Sequence, residues 1–298
     1  MRGQASISRG SGFNEGRRAV SRPRLPRTID AHLHLSHRKD DALIPFARRN
    51  GLSYTMEELS HLMKDNGIAQ GLLLSPPLTS GGMLQNEEVF RLCELSRHLL
   101  LPILTVTPTR AGVRAAVSLA RKNRDKAKGF KVLLGYFRVF ATDKVFDRLY
   151  RYAEEEGLPV MFHTGDTADS RGSLAHSHPL TLDALANSRP GLKIVACHFG
   201  NPWIEEVAEL IYKHENFYAD VSGLAVGGTS YSDKYIGWLV NKLDGAIYFA
   251  GGADKVIFGT DYPVTSHSSA LELVSRLDVS SRDKKKILSG NAERVFGL

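Results

Sequence analysis

Apolar and polar positions alternate along this chain in two rhythms. Short runs rich in aliphatic and β-branched residues fall at 28–35 (TIDAHLHL), 67–76 (GIAQGLLLSP), 100–108 (LLPILTVTP), 129–136 (GFKVLLGY), 158–166, 192–200, 216–224 and 255–263. Each has the length of a strand. Between them, at 55–66 (TMEELSHLMKDN), 85–98, 110–125, 142–156, 202–215 and 235–244, apolar residues recur every three or four positions and predict amphipathic helices. Thr55 with Glu58, and Thr142 near Asp143, predict helix starts, while Gly67 and Gly157 predict stops. Eight strand–helix units in this length predict one parallel (β/α)8 TIM barrel over residues 28–298. A doubly wound sheet would carry a glycine-rich turn after its first strand, where this chain has His32-Leu33-His34. Neither a linker nor a fixed-period repeat divides the barrel.

Composition narrows the class. With 298 residues, 42% hydrophobic and 24% charged, the chain is neither disordered, collagenous nor coiled coil. It has no apolar run of about 18 residues, so no membrane contact is expected. Two cysteines, Cys93 and Cys197, are too few for a disulfide framework and suit a reducing compartment, so a cytoplasmic location is expected. The net charge of +7 invites a nucleic-acid reading, but residues 1–27 hold seven arginines against Glu15 alone, leaving the body nearly neutral. This segment, ending in Pro23 and Pro26, reads as a disordered basic extension. Its Arg- and Ser-rich, acid-poor character fits organelle import and equally a solvated tail.

Candidate chemistry gathers at strand ends. Residues two apart on a strand share a face, so Ile29, Ala31, Leu33 and Leu35 are expected on one side and Asp30, His32 and His34 on the other. His-x-His alone is weak evidence, since His176 and His178 repeat it in a loop before Pro179. What strengthens the first pair is recurrence at one address: the later strands close on His163, His198 and Asp261. Imidazoles and a carboxylate crowded at a barrel mouth would repel or desolvate one another without a cation to share.

These residues resemble those of the amidohydrolase superfamily, and specifically its amidohydrolase-related branch, which includes aminocarboxymuconate-semialdehyde decarboxylase, related aromatic acid decarboxylases and several lactonases. The resemblance rests on Asp30-Ala31-His32-Leu33-His34, Gly129-Phe130-Lys131, His163, the run Ala196 to Trp203 (ACHFGNPW), Phe258 to Pro263 (FGTDYP) and Asn291 to Phe296 (NAERVF). It implies one divalent ion held by His32, His34, His163 and Asp261, with His198 just beyond. Zinc is the first expectation, and manganese, cobalt or iron would suit the same donors. His198 is assigned to orienting a water or donating a proton, and Asp261 to holding the ion and taking a proton.

In binuclear relatives a strand-four lysine, the position of Lys131, is carboxylated and bridges two metals, whereas the branch resembled here implies a single metal. Here Lys131 comes early in its strand, and is expected to be a buried electrostatic or structural lysine. Substrate contacts are expected from Lys131, Arg171, His178, Trp203 and Tyr262, with Arg110 a second carboxylate clamp and Tyr136 a further wall. Cys197 is expected to face away from His198 as an inert packing thiol.

The activity expected first is hydrolysis of a carbonyl, above all a lactone, in a small carboxylated substrate by a metal-activated water. The alternative is metal-dependent, non-oxidative decarboxylation of an unsaturated or aromatic acid. A TatD-like deoxyribonuclease is a remote reading, because the charge sits in the extension and Lys131 stands where an acidic ligand is expected. A barrel that kept its metal for stability alone is more remote still, as His198 and Asp261 are both present. The expected partner is a small molecule rather than nucleic acid, with a homodimer left open.

Overall fold

A computed structural model of the chain describes residues 27–225 and 233–298. The predicted basic extension lies outside the described residues except for Arg27, whose guanidinium donates to Gln70 Oε1 at 2.9 Å.

Among the described residues, eight parallel strands form the barrel: β1 (Thr28–His34), β2 (Ile68–Leu74), β3 in two segments (Leu100–Pro102 and Leu104–Thr105), β4 (Phe130–Val132), β5 (Val160–Phe162), β6 (Ile194–Ala196), β7 (Phe217–Asp220) and β8 (Val256–Ile257). The first half of β3 pairs with β2 and the second with β4. At the turning point, Ile103 N–H donates to Leu73 O and Leu104 N–H to Gly129 O, both at 3.0 Å. The ring closes between β1 and the segment after β8. There Ala31 N–H donates to Phe258 O (3.0 Å), Asp261 N–H to His32 O (2.7 Å) and His34 N–H to Tyr262 O (2.8 Å).

The helices follow from caps and periodicity. Thr55 Oγ1 accepts the Glu58 N–H (3.2 Å) and opens Met56–Asp65, while Thr109 accepts the Gly112 N–H (3.0 Å) and opens Arg110–Lys122. In the second of these, Val113, Ala116, Val117 and Ala120 form the buried stripe. Gly157 ends Asp147–Glu156 in the left-handed region, as expected. Thr142 caps nothing. Its neighbour Asp143 instead accepts the Phe140 N–H (3.1 Å) and leads into a 3-10 turn at Lys144–Phe146.

Alternation sorts the strands into two layers. Phe130, Val160, Ile194 and Phe217 stand in one register row and Val132, Phe162, Ala196 and Ala219 in another, and both rows pack outward under the helices. The row between them, Lys131, Met161, Val195 and Tyr218, turns to the interior, where Met161 and Val195 join Ile29, Ala31, Leu72, Leu74, Ile103, Cys197 and Ile257. The closing helix, Asn291–Phe296, contributes Ala292, Val295 and Phe296 to this cluster. It lies at the start of the strands. Lys128 and Lys193, which precede β4 and β6, donate to the carbonyls of Gly297 and Val295 (3.1 and 3.0 Å).

β1 departs from simple alternation. Asp30 pairs with Gly71 and Leu33 with Leu73, so three steps on one strand meet two on the other. This bulge re-aims the side chains that follow it. Ile29 and Ala31 fill the interior while Leu33 and Leu35 join the outer layer, so the four do not share one face as expected. Asp30 likewise does not share a face with the two histidines. Its carboxylate accepts from Thr260 Oγ1 (2.6 Å), Thr260 N–H (3.0 Å) and His32 N–H (3.1 Å), and so pins the seam of the barrel.

Candidate metal centre

The bulge delivers His32 and His34 to the carboxyl end of β1, where both are buried. His34 Nδ1 lies 3.1 Å from Leu74 O, which can only accept, so Nδ1 carries the proton and Nε2 presents a lone pair. His32 Nδ1 faces Asp220 Oδ2 at 3.0 Å, which fixes the same tautomer. Both free Nε2 atoms point at one oxygen, Asp261 Oδ1, at 3.1 Å from His34 and 3.4 Å from His32. Three acceptors with no proton among them repel one another unless they share a cation. Edges of this length also surround an ion bound at about 2.0–2.2 Å. The donor set of His32, His34 and Asp261 therefore fits a divalent metal.

Asp261 and His198 reach the site through unusual backbone. Asp261 (φ 60°), His198 (φ 61°) and Phe199 (φ 45°) occupy the left-handed region, uncommon for residues with a side chain. In β6 strict alternation sends Ala196 outward and Cys197 inward, and the left-handed turn then brings His198 back to the mouth. His198 N–H donates to Asp220 Oδ1 (2.9 Å), and its Nδ1 lies 3.1 Å from Ser222 O, leaving Nε2 free. Gly223 (φ +66°) permits this crowding: a Cβ there would stand 3.0 Å from both Asp261 Oδ2 and His198 Nδ1.

Burial and neighbouring charge set the protonation states. Burial, helped by the positive Lys131, lowers His32 to about 4 despite the carboxylates of Asp220 and Asp261. His163 and His198 are lowered chiefly by burial as well. Burial would raise Asp220 and Asp261, but imidazoles win. His32 holds Asp220 below the usual carboxylate range, and His34 with His198 does the same for Asp261. His32, His163 and His198 are thus pushed towards the neutral imidazole, and Asp220 and Asp261 towards the carboxylate, the forms that bind metal.

The other expected site residues divide. The imidazoles run in a row: His34 to His32 at 5.4 Å between ring centres, His32 to His198 at 5.0 Å, and His198 to His163 at 5.0 Å. His163 belongs to the mouth but not to the three-atom group, since its Nε2 faces Asp166 O at 2.9 Å. Tyr136 stands edge-on to it at 4.7 Å. His178 and Trp203 pack together (4.6 Å) in a separate groove of about 480 Å³ with Leu174, Leu180 and Thr181; no residue of the His32 group lines it. Tyr262 is fully buried in the outer layer against Tyr54 and His267, so it lines no pocket. Arg171 is 88% exposed and ion-paired with Asp169 at 2.7 Å, which corrects its expected role as a clamp.

Lys131 is buried as expected. Cys197, however, is inside the barrel rather than facing away, with its Sγ 2.7 Å from Lys131 Nζ. Cys197, His32 and Asp220 also lie close enough to hold an ion. There the lysine already supplies a positive charge and Asp220 is committed to His32 and His198, so the His34 side of His32 is the better metal position. Asp220 itself escaped the sequence reading. It closes β7 at the same address as the other site residues, and an acidic residue ending a predicted strand was the signal available.

A family model described as amidohydrolase matches residues 29–298. The gamma-resorcylate decarboxylase of a Polaromonas species is 28% identical over 143 residues, 41% of this chain and 40% of that relative. Among solved structures, an uncharacterised TIM-barrel protein from Bordetella bronchiseptica superposes with a TM-score of 0.74 at 22% identity, covering 91% of this chain and 98% of that one. A probable 2-pyrone-4,6-dicarboxylic acid hydrolase from Acinetobacter baumannii gives 0.68 at 17% identity (91% and 100% covered). A dihydroxybenzoic acid decarboxylase from Polaromonas, solved with manganese and the inhibitor 2-nitroresorcinol, gives 0.64 at 17% identity (92% and 98% covered).

Proposed function

The chain belongs to the amidohydrolase family, and from that premise we propose that it is a metal-dependent decarboxylase of a small aromatic or unsaturated acid. The observation that carries the reading is the convergence of His32 Nε2, His34 Nε2 and Asp261 Oδ1 with His198 beside them. The likeness to gamma-resorcylate decarboxylase supports decarboxylation over the lactone hydrolysis expected first.

When bound, a divalent ion would supply a positive centre for the substrate's carboxylate and neighbouring oxygen. The chain's own groups divide the remaining work. His32 and His34 hold the ion in fixed tautomers, with Asp220 locking one ring and Leu74 O the other. His163 stands next in the row beyond His198, with Nε2 on Asp166 O, and would be the further donor the ion could recruit. Asp261 Oδ2 and His198 both flank Gly223, and this pair would take up a proton from the incoming substrate or solvent and pass it to ring carbon as the carboxylate leaves. Manganese joins zinc as an ion to test, because the Polaromonas structure carries it. The partner in this reading is a small molecule.

The test is to load metal-free protein with manganese or zinc and offer dihydroxybenzoates and carboxyvanillate while following carbon dioxide. A lactone panel, followed by proton release, runs beside it. Ion-dependent carbon dioxide release is expected. Turnover confined to lactones would restore hydrolysis, and silence in both panels overturns the proposal.

A further inference from the structure

Beneath the proposed metal centre lies a pair that the mechanism does not use. Lys131 projects inward from β4 and is 2% exposed, and Cys197 projects inward after β6 and is fully buried. Among the described residues, Cys197 Sγ is the one hydrogen-bond partner found for Lys131 Nζ, and no carboxylate lies within ion-pairing distance of that nitrogen. A buried ammonium normally demands a carboxylate, and a thiol is a poor substitute.

The separation is equally unusual. Sulfur is a larger atom than oxygen, yet the N···S distance of 2.7 Å is short even for a contact between nitrogen and oxygen. Two single bonds meeting at a bridging oxygen span a distance of this order. Both side chains are held there by the barrel. Lys131 is flanked by Phe130 and Val132, which are anchored in the outer layer, and Cys197 follows Ala196 in the same way.

We propose that Lys131 and Cys197 form a reversible covalent Nζ–O–Sγ bridge, a redox modification site set under the metal centre with dioxygen as the oxidant. One dioxygen molecule suffices. Its O–O bond breaks, one oxygen inserts between nitrogen and sulfur, and the other leaves as water with one hydrogen from nitrogen and one from sulfur. Nitrogen and sulfur each give up two electrons, and dioxygen takes four. An ammonium–thiolate pair holds the same three protons as an amine–thiol pair, so the balance is the same for either. Two molecules of a dithiol return four electrons, releasing lysine, cysteine and water.

Dioxygen is small enough to enter a closed interior where larger oxidants are excluded. The bridge would consume the lysine's positive charge, which acts on His32, His163, His198 and Asp220 at once. It therefore links the oxidation state of the barrel interior to the electrostatics of the mouth.

Intact-mass measurement of the full chain, purified in air and compared with a dithiothreitol-treated half, tests this. One oxygen gained and two hydrogens lost add about 14 Da, which dithiothreitol should remove. Tryptic digestion should yield a cross-linked peptide joining Lys131 to Cys197, uncleaved after Lys131. A methyl group adds nearly the same mass, but it would survive reduction and persist in Cys197→Ala. Either result overturns the proposal, as does an unmodified mass after prolonged aeration or an oxidised Cys197 with trypsin still cleaving after Lys131. The readout is mass rather than turnover, so it stands or falls independently of the decarboxylase reading.

Discussion

The two ends of this barrel are built by opposite rules. The floor largely obeys alternation: Met161, Val195 and Ile257 point inward from regular strands, and Ala292, Val295 and Phe296 close over them. The mouth breaks it, with a bulge in β1 and left-handed residues at His198, Phe199 and Asp261. A regular strand can send only every second residue inward, so a floor of uniform packing needs nothing else. A site that must gather several side chains around one point needs local exceptions, and their cost in backbone strain is met by the packing elsewhere. Stability and chemistry are therefore expected to separate along the barrel axis.

The sharpest break in that separation would come from His198→Asn. We expect kcat to fall by about 10² to 10⁴, the usual share of a proton-transfer group, with bound metal per chain unchanged. Metal lost together with activity would show His198 to be a ligand instead. At the other end, Phe296→Ala should cost about 3–5 kcal/mol of stability in denaturant titration while leaving kcat of the folded fraction intact. A comparable loss of kcat would erase the distinction between floor and mouth.

Asp220→Asn probes the boundary between them. Its carboxylate orients His32 and the His198 backbone without belonging to the three-atom group. Metal affinity should weaken by about 10- to 100-fold, measured by competition with a chromogenic chelator. An unchanged affinity would mean that the tautomer of His32 is fixed by something else.

The mouth should also titrate unlike the rest of the surface. In the metal-free protein, imidazole NMR should find His32 taking up its proton near pH 4 instead of its ordinary 6.5. The unfolded chain binds that proton first as pH falls. His32 therefore subtracts stability progressively between pH 6.5 and about 4, and the loss is complete below. A midpoint near 6.5 would show the ring to be solvated. The smallest effect is expected from Arg171→Ala, which removes a surface ion pair with Asp169. Stability should move by no more than about 0.5 kcal/mol, and kcat/KM by less than about twofold. A large rise in KM would restore Arg171 as a substrate clamp.

Much of this was legible beforehand where the signal is local. Thr55 caps the helix it precedes as expected, Thr142 does not, and the eight strand-sized runs became eight strands, although β3 divides its pairing at Ile103. His32, His34 and Asp261 were singled out because each closes a strand, and they meet. Tyr262, beside Asp261 in the chain, was misplaced because the left-handed turn at Asp261 swings its ring into the outer layer. Cys197 was assigned to the wrong side because strict alternation runs on through it, and the left-handed turn at His198 then brings that imidazole to the mouth where it was expected. Asp220 was overlooked because its value lies in contacts with residues 188 and 22 positions away.

What the sequence by itself determined was the barrel and the address of its chemistry, because side-chain period and strand-end position are properties of short stretches of chain. Only the tertiary structure decided which atoms face one another. The bulge after Asp30, the left-handed turns, the locking of two imidazole tautomers and the meeting of Lys131 with Cys197 all depend on backbone conformations that no pattern of residue types announces. Those conformations are held in place by strands distant in sequence, and become readable only once the cylinder has closed.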